Sequence, residues 1–324
     1  MKIFRKDNNK EVIFQQLIQK NGVYYDIHEN KPFTGIAFEP LLKANPFDLS
    51  KRVAEKTFLD GKLDGLSTWF SPHGKIKLQM QFKKGELHGP CEQFSRSSNE
   101  VIVKKQIYKN GTLNGVSEWR RKDDNQLIKI ETYVNGLRHG SRIDYHYKQM
   151  YGLERGKNIK KQGNYSGNVP DGKWQSYYPG NILKRTGLYK MGKRHGIWQW
   201  FYENKWLRIS LSYNHGKLHG PITSFHCNST NKPPVVETKG TYINSKREGL
   251  WQRFDPDGKI LCKATYKEGA IIEWECFDQL GQPDIDSIPV SNQRQPYIDL
   301  WGLGGQFRFS GTIYEKDFDD DIPF

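Results

Sequence analysis

The sequence predicts an all-β protein, an elongated and twisted antiparallel sheet formed as a solenoid of tandem β-hairpin repeats. Three observations lead there. A glycine recurs at a nearly fixed interval, an aromatic residue stands at a fixed distance before it, and turn-forming dipeptides separate the two.

The glycine is the second of each G-x(3,4)-G pair. It falls at Gly65, Gly89, Gly115, Gly140, Gly172, Gly196, Gly220 and Gly249, with intervals of 24, 26, 25, 32, 24, 24 and 29 residues. A fixed period of this size is the mark of a repeat architecture. Seven residues before each glycine sits Phe58, Phe82, Tyr108, Tyr133, Tyr165, Tyr189, Tyr213 or Tyr242, without exception. Five residues after it stands another aromatic in every repeat except the third, which has Arg120. Aromatics make up only 13% of the 324 residues, so this register is not random.

The aromatic is followed by a turn such as Lys109-Asn110-Gly111, and Asn-Gly sequences favour two-residue hairpins because both central residues need positive φ. A second strand follows, as in Gly65 to Phe70, and then a further turn such as Ser71-Pro72-His73-Gly74 or Asp255-Pro256-Asp257-Gly258. Two short strands cannot bury a face of their own, so neighbouring units must share one. Rings of successive units are expected to form a ladder, with the recurrent glycines allowing close strand approach and letting rings lie against backbone. At two strands per unit, each repeat would advance the sheet by ~10 Å, and eight repeats by ~80 Å.

Composition agrees. Mean hydropathy is −0.81, yet the chain carries 31 glycines and abundant rings. Few aliphatics exclude a thick globular core, and the aromatic content argues against disorder. Three regions follow: an N-terminal cap with a degenerate repeat around Phe33-Thr34-Gly35 (1–55), the repeat array (56–276), and a C-terminal cap with an acidic tail (277–324). One or two strands are expected around Gln306 to Tyr314. Residues 39–55, 146–162 and 226–238 read as insertions.

Net charge is +14. The segment from Tyr314 onward contributes −4, which leaves about +18 on the rest. Such a body attracts acidic surfaces. The tail could fold back on that body or stand as a solvated end. The four cysteines form no CxxC pair and are expected as reduced thiols. The N-terminus has no apolar signal-peptide core, and no stretch reaches the length of a membrane span, so the expected location is the cytoplasm.

Catalytic chemistry finds no support in the motifs. Trp301-Gly302-Leu303-Gly304-Gly305 lacks the Lys-Ser/Thr of a phosphate loop. His88, His139, His195 and His219 precede the second glycine, but Asp64, Asn114, Asp171 and Glu248 take that place elsewhere. Equivalent positions ~10 Å apart cannot share one zinc ion, so a turn or edge role is expected. No enzyme activity, cofactor or metal is predicted. The candidates for partner binding are Arg155 and Lys157 in the basic 146–162 insertion, and Trp198, Trp200, Tyr202, Trp206 and Arg208. On a strand, Trp198 and Trp200 share a face while Phe201 points to the other. An aromatic, arginine-bearing face suits a protein interface.

The pattern Tyr213-Asn214-His215-Gly216-Lys217-Leu218-His219-Gly220 through Phe225 resembles the MORN-variant repeat, and its many tandem copies over about residues 56–270 resemble the YwqK-type antitoxin family of bacteria. That resemblance implies a non-enzymatic immunity protein encoded beside a secreted toxin, which it neutralises by occluding the active surface. The basic body departs from the acidic, nucleic-acid-mimicking type of immunity protein. The expected partner is therefore a cognate toxin with an acidic contact surface, with no small-molecule substrate and no nucleic acid. The wider MORN resemblance implies the alternative, a scaffold or anionic-lipid-binding protein.

Overall fold

The computed structural model describes residues 10–41, 51–95, 101–146, 158–227, 233–278 and 280–283. Its strands form one sheet of 22 and a separate sheet of two among the described residues. The eight hairpins run Arg52–Leu59 with Gly65–Phe70, Ile76–Lys83 with Glu86–Phe94, Ile102–Lys109 with Gly115–Arg120, and Leu127–Val134 with Leu137–Tyr145. They continue with Ile159–Ser166 and Val169–Tyr178, Ile182–Lys190 and Lys193–Phe201, Leu207–Asn214 and Lys217–Phe225, and Val236–Ile243 and Lys246–Phe254. Ile260–Lys267 pairs antiparallel with the last of these, and Ala270–Cys276 is the last strand among the described residues. Each strand pairs antiparallel with the one before it across the array, so sequence order is spatial order. Numbered by their second glycine, these are repeats 1 to 8.

Turn chemistry explains the hairpins. Asn110 and Gly111 both have positive φ, 48° and 77°, the backbone of a type I′ turn whose twist matches the strands it joins. The second glycine of each pair has a different task. Gly89 and Gly115 lie at φ 117° and 122°, where the strand register slips against the first strand of the same hairpin. A bulge in that backbone region suits glycine. It turns the chain so that the residue two places on enters the buried face. Side chains of the facing strand crowd this glycine, as Gln81 does Gly89 and Ser212 does Gly220, but the seating of a ring against backbone, which the repeat pattern also assigns to it, belongs to another one.

That other glycine lies nine residues before the second glycine: Gly163, Gly187 and Gly240. In the same three repeats the residue two after the second glycine is tryptophan, Trp174, Trp198 and Trp251, and its indole occupies the space a methyl on that glycine would need. The indole nitrogens donate to backbone carbonyls of Asn164, Leu188 and Thr241 at 3.0, 2.9 and 3.2 Å. Other repeats fill the same pair of positions differently, with Leu211 and Ile222, or with Glu131 and Arg142. The buried volume is shared between two positions whose identities covary.

The aromatic seven residues before the second glycine completes the ladder. Tyr165, Trp174, Tyr189 and Trp198 follow one another edge-to-face with centroids 5.3, 6.0 and 4.9 Å apart. Tyr242, Trp251 and Tyr266 repeat the arrangement at 5.0 and 6.0 Å. Each such contact contributes ~1 kcal/mol beyond burial. Between the two runs, the Arg194 guanidinium bridges Trp198 and Tyr213, 5.1 and 5.5 Å from their rings.

At the N-terminal side, Glu11–Ile13 pairs parallel with Gly35–Pro40, which pairs antiparallel with repeat 1. Phe33 and Tyr24 pack on Phe58 at 5.9 and 5.2 Å, closing the first ring position. The chain divides at Glu275/Cys276 into two compact parts. The described residues of the second contain an Asx turn, with Asp278 Oδ1 accepting from the backbone of Leu280 and Gln282. The strands expected at 306–314 lie outside the described residues.

The cysteines differ from expectation. Cys262 and Cys276 are disulfide-bonded, and Cys91 and Cys227 are free. Spacing in sequence misses such bonds because strands bring distant cysteines together without a CxxC. Thiol titration of the denatured, unreduced chain is therefore expected to count two thiols, and four would contradict the assignment. Gly187→Ala places its methyl against Trp198 and is expected to cost about 1–3 kcal/mol in chemical denaturation. The cost should shrink in a Trp198→Leu background; an equal cost in both backgrounds would refute the paired-volume account.

Candidate interaction surface

Consecutive hairpin tips are joined by one repeated backbone hydrogen bond. The N–H of the second turn residue donates to the carbonyl two residues before the preceding second glycine. The series runs Gly61 to Phe33, Gly85 to Leu63, Gly111 to Leu87, Gly136 to Leu113, Asn168 to Arg138, Gly192 to Pro170, Gly216 to Arg194, Ser245 to Leu218 and Gly269 to Arg247, all between 2.7 and 3.0 Å. The residue just before the second glycine adds a side-chain tie to the next tip. Asp64, Asp171 and Glu248 accept from the backbone of Lys84, Met191 and Glu268, and His88 Nδ1 meets Asn110 Oδ1 at 3.1 Å. His195 packs on His215 with ring centroids 5.2 Å apart. His88 and His195 thereby take the edge role expected of them.

The opposite ends of the hairpins are tied by side chains six residues after the second glycine. Tyr178 and Tyr202 hydroxyls donate to the carbonyls of Phe201 and Phe225 at 3.1 and 2.9 Å. His146 and His226 Nε2 do the same for Tyr177 and Phe254 at 2.8 and 2.9 Å.

Four stretches, 63–84, 170–191, 194–215 and 247–268, match the family described as MORN repeat variant. These stretches are four MORN-variant repeats within the array. No curated protein gives a significant match to it. Each matched stretch opens on a carbonyl that accepts a tip hydrogen bond and closes on the residue before its donor, as Leu63 and Gly85 show. A MORN unit in this phase is thus a strand, the outer turn and the next strand, closed by the tip bond.

The sequence-predicted partner residues divide. Arg155 and Lys157 lie outside the described residues. Trp198 and Trp200, 5.9 Å apart, do share a face, but it is the interior one: they are 1% and 4% exposed. The vacancy above Gly187 draws Trp198 inward, so neither ring offers surface to a partner. Tyr202, Trp206 and Arg208 come together at one outer turn. The Tyr202 amide donates to the Trp206 carbonyl at 2.9 Å, and the Arg208 guanidinium lies 5.8 Å from the Tyr202 ring. Burial raises the Tyr202 phenol above its ordinary value.

Sequence reading missed the tip edge. Lys190, Lys193, Lys217, Lys246 and Lys267 flank the tip turns from repeat 6 onward, all exposed. Among the described residues none of these five makes an ion pair. Met191, Val169 and Ile243 are exposed beside them. The signal was present in Lys190-Met191-Gly192-Lys193, where a strand's last residue and the next strand's first are both lysine.

Charges that enter the fold are paired. In repeat 4, Arg142 meets Glu131 at 3.2 Å and Asp144 at 2.9 Å, and Lys129 and Tyr133 also bond Glu131. Burial pushes the Glu131 carboxyl up, but the hydrogen bonds from Lys129 and Tyr133 and the charges of Lys129 and Arg142 outweigh it, holding it below its ordinary value. Tyr133 is pushed up to about 12, by burial first and the Glu131 hydrogen bond second. The native state therefore favours ionised Glu131, and this stabilisation is present above the ordinary carboxylate range and lost as pH falls through the depressed value. Tyr133 stabilises fully below its unfolded value of about 10 and loses that contribution as pH rises towards 12. Glu131→Gln is expected to cost about 1–3 kcal/mol at neutral pH and to flatten the acid limb of a stability profile. Tyr133→Phe should flatten the alkaline limb; unchanged limbs would show that these groups titrate as they do in the unfolded chain.

Proposed function

We propose that this MORN-repeat chain is a non-catalytic docking scaffold of the immunity type, which neutralises a cognate toxin by covering its active surface. The observation that carries the reading is the row of unpaired lysines on a hairpin-tip edge stiffened by repeated backbone hydrogen bonds. A fixed cationic edge selects an acidic protein surface, steers its approach and loses little freedom on binding. The resemblance of the tandem array to YwqK-type antitoxins supplies the toxin, and a cytoplasmic site of action goes with it. A standard interface of about 1,600 Å² needs only part of such an array.

Exposed Met191, Val169 and Ile243 beside the lysines favour a second reading, an anionic-lipid scaffold. Co-expression with the polypeptide encoded beside this chain's gene separates the two. The docking reading expects a purified complex and rescue of growth from that polypeptide. Absence of both, with co-sedimentation on phosphatidylserine vesicles but not on phosphatidylcholine vesicles, would replace it with the lipid reading.

A further inference from the structure

We infer that the tips from repeat 5 onward, centred on Met191, form the docking edge, with the Met191 side chain entering an apolar recess of an acidic protein partner and the lysines forming the rim. The inference rests on the reading above that the partner is an acidic protein, and it adds the surface and its anchor.

Two local penalties coincide in one tip. Met191 occupies the first position of its turn at φ 49°, a left-handed conformation that a methionine side chain disfavours. Equivalent positions carry Asp60, Asn110, Asn135 and Asn244, residues that tolerate it, or the polar Lys84, His215 and Glu268, so Met191 stands apart as the apolar side chain of the series. Nothing in the fold calls for methionine there. Its amide bonds Asp171 at 3.2 Å, a bond that any residue but proline would make, while the side chain is 69% exposed. The second penalty is Lys190 directly opposite Lys193 across the same turn, two like charges in register. Local rules broken without local compensation are expected where function pays for them.

The surroundings complete an interface. Val169 packs beneath Gly192, Lys193 beneath Gly216 and Lys246 beneath Gly269, so neighbouring tips touch and hold a common edge. A flexible thioether surrounded by cations fits a protein contact, where methionine is enriched in the core and charge in the rim. A membrane fits less well. The turn residues of these tips include no Trp, Tyr or Phe, the usual interfacial anchors, and Asp171, Glu248 and Glu268 share the edge.

The test uses the full chain and the polypeptide encoded beside its gene, with three variants. Met191→Asn replaces the strained residue by one suited to the turn. It is expected to raise Tm by about 2 °C while weakening binding at least tenfold, opposite movements that a purely structural role would not give. Lys193→Glu should weaken binding further and flatten its salt dependence. Lys77→Glu makes the same charge change away from the tips and should leave binding within twofold. A more stable Met191→Asn that binds like wild type overturns this inference and leaves the docking reading standing. Failure of the wild-type chain to bind overturns both. Binding to phosphatidylserine vesicles that Lys193→Glu abolishes, without binding to the polypeptide, assigns the edge to a membrane and also overturns it.

Discussion

One backbone hydrogen bond, repeated from tip to tip, makes the array a single object. A β-hairpin alone is marginal in water. Its strands pair with neighbours along their length, but the turn would ordinarily project as a loose loop. Here the two positive-φ residues aim a turn amide at the carbonyl of the previous repeat, and in three repeats an acidic residue before the second glycine, Asp64, Asp171 or Glu248, seconds it as a side-chain acceptor. The geometry that makes the turn tight is also the geometry that makes it a donor. Stiffness therefore extends to the edge of the sheet, the part most available to a partner.

Inside, the sheet solves one packing problem several ways. The face that receives the residue two after each second glycine must be filled from two positions. Gly with Trp, Leu with Ile and Glu with Arg are all used. The ionic solution in repeat 4 is tolerable because every charge there has more than one partner. The tips obey the reverse rule. Their lysines are left unpaired and their one exposed methionine is held in an unfavourable conformation. Charges are matched where the fold needs them matched and left open where it faces outward.

The hairpins, their turns and the aromatic ladder were legible in the sequence because each is written as a fixed residue type at a fixed spacing. Phe58 through Tyr242 and the Asn-Gly turns carry that signal. The choice of buried face was not legible. Both faces carry rings, Trp198 and Trp200 on one and Phe201 on the other, and alternation cannot say which is inside. The deciding feature, Gly187 opposite the Trp198 indole, is a pairwise relation that differs from repeat to repeat, so no single-position pattern reveals it. The tip edge was hidden for a similar reason. Lys190, Lys217, Lys246 and Lys267 are far apart in the chain and form a row only after the repeats stack in register.

Native-state hydrogen exchange tests the tip bond most directly. Gly85, Gly111, Gly136, Gly192, Gly216 and Gly269 sit in tight turns at the sheet's margin, where an unbonded amide would exchange almost as fast as in a peptide. The account predicts that these six amides are protected to nearly the level of the strands they follow, because opening one requires parting two repeats. Exchange of all six at peptide-like rates, with the strands still protected, would contradict it.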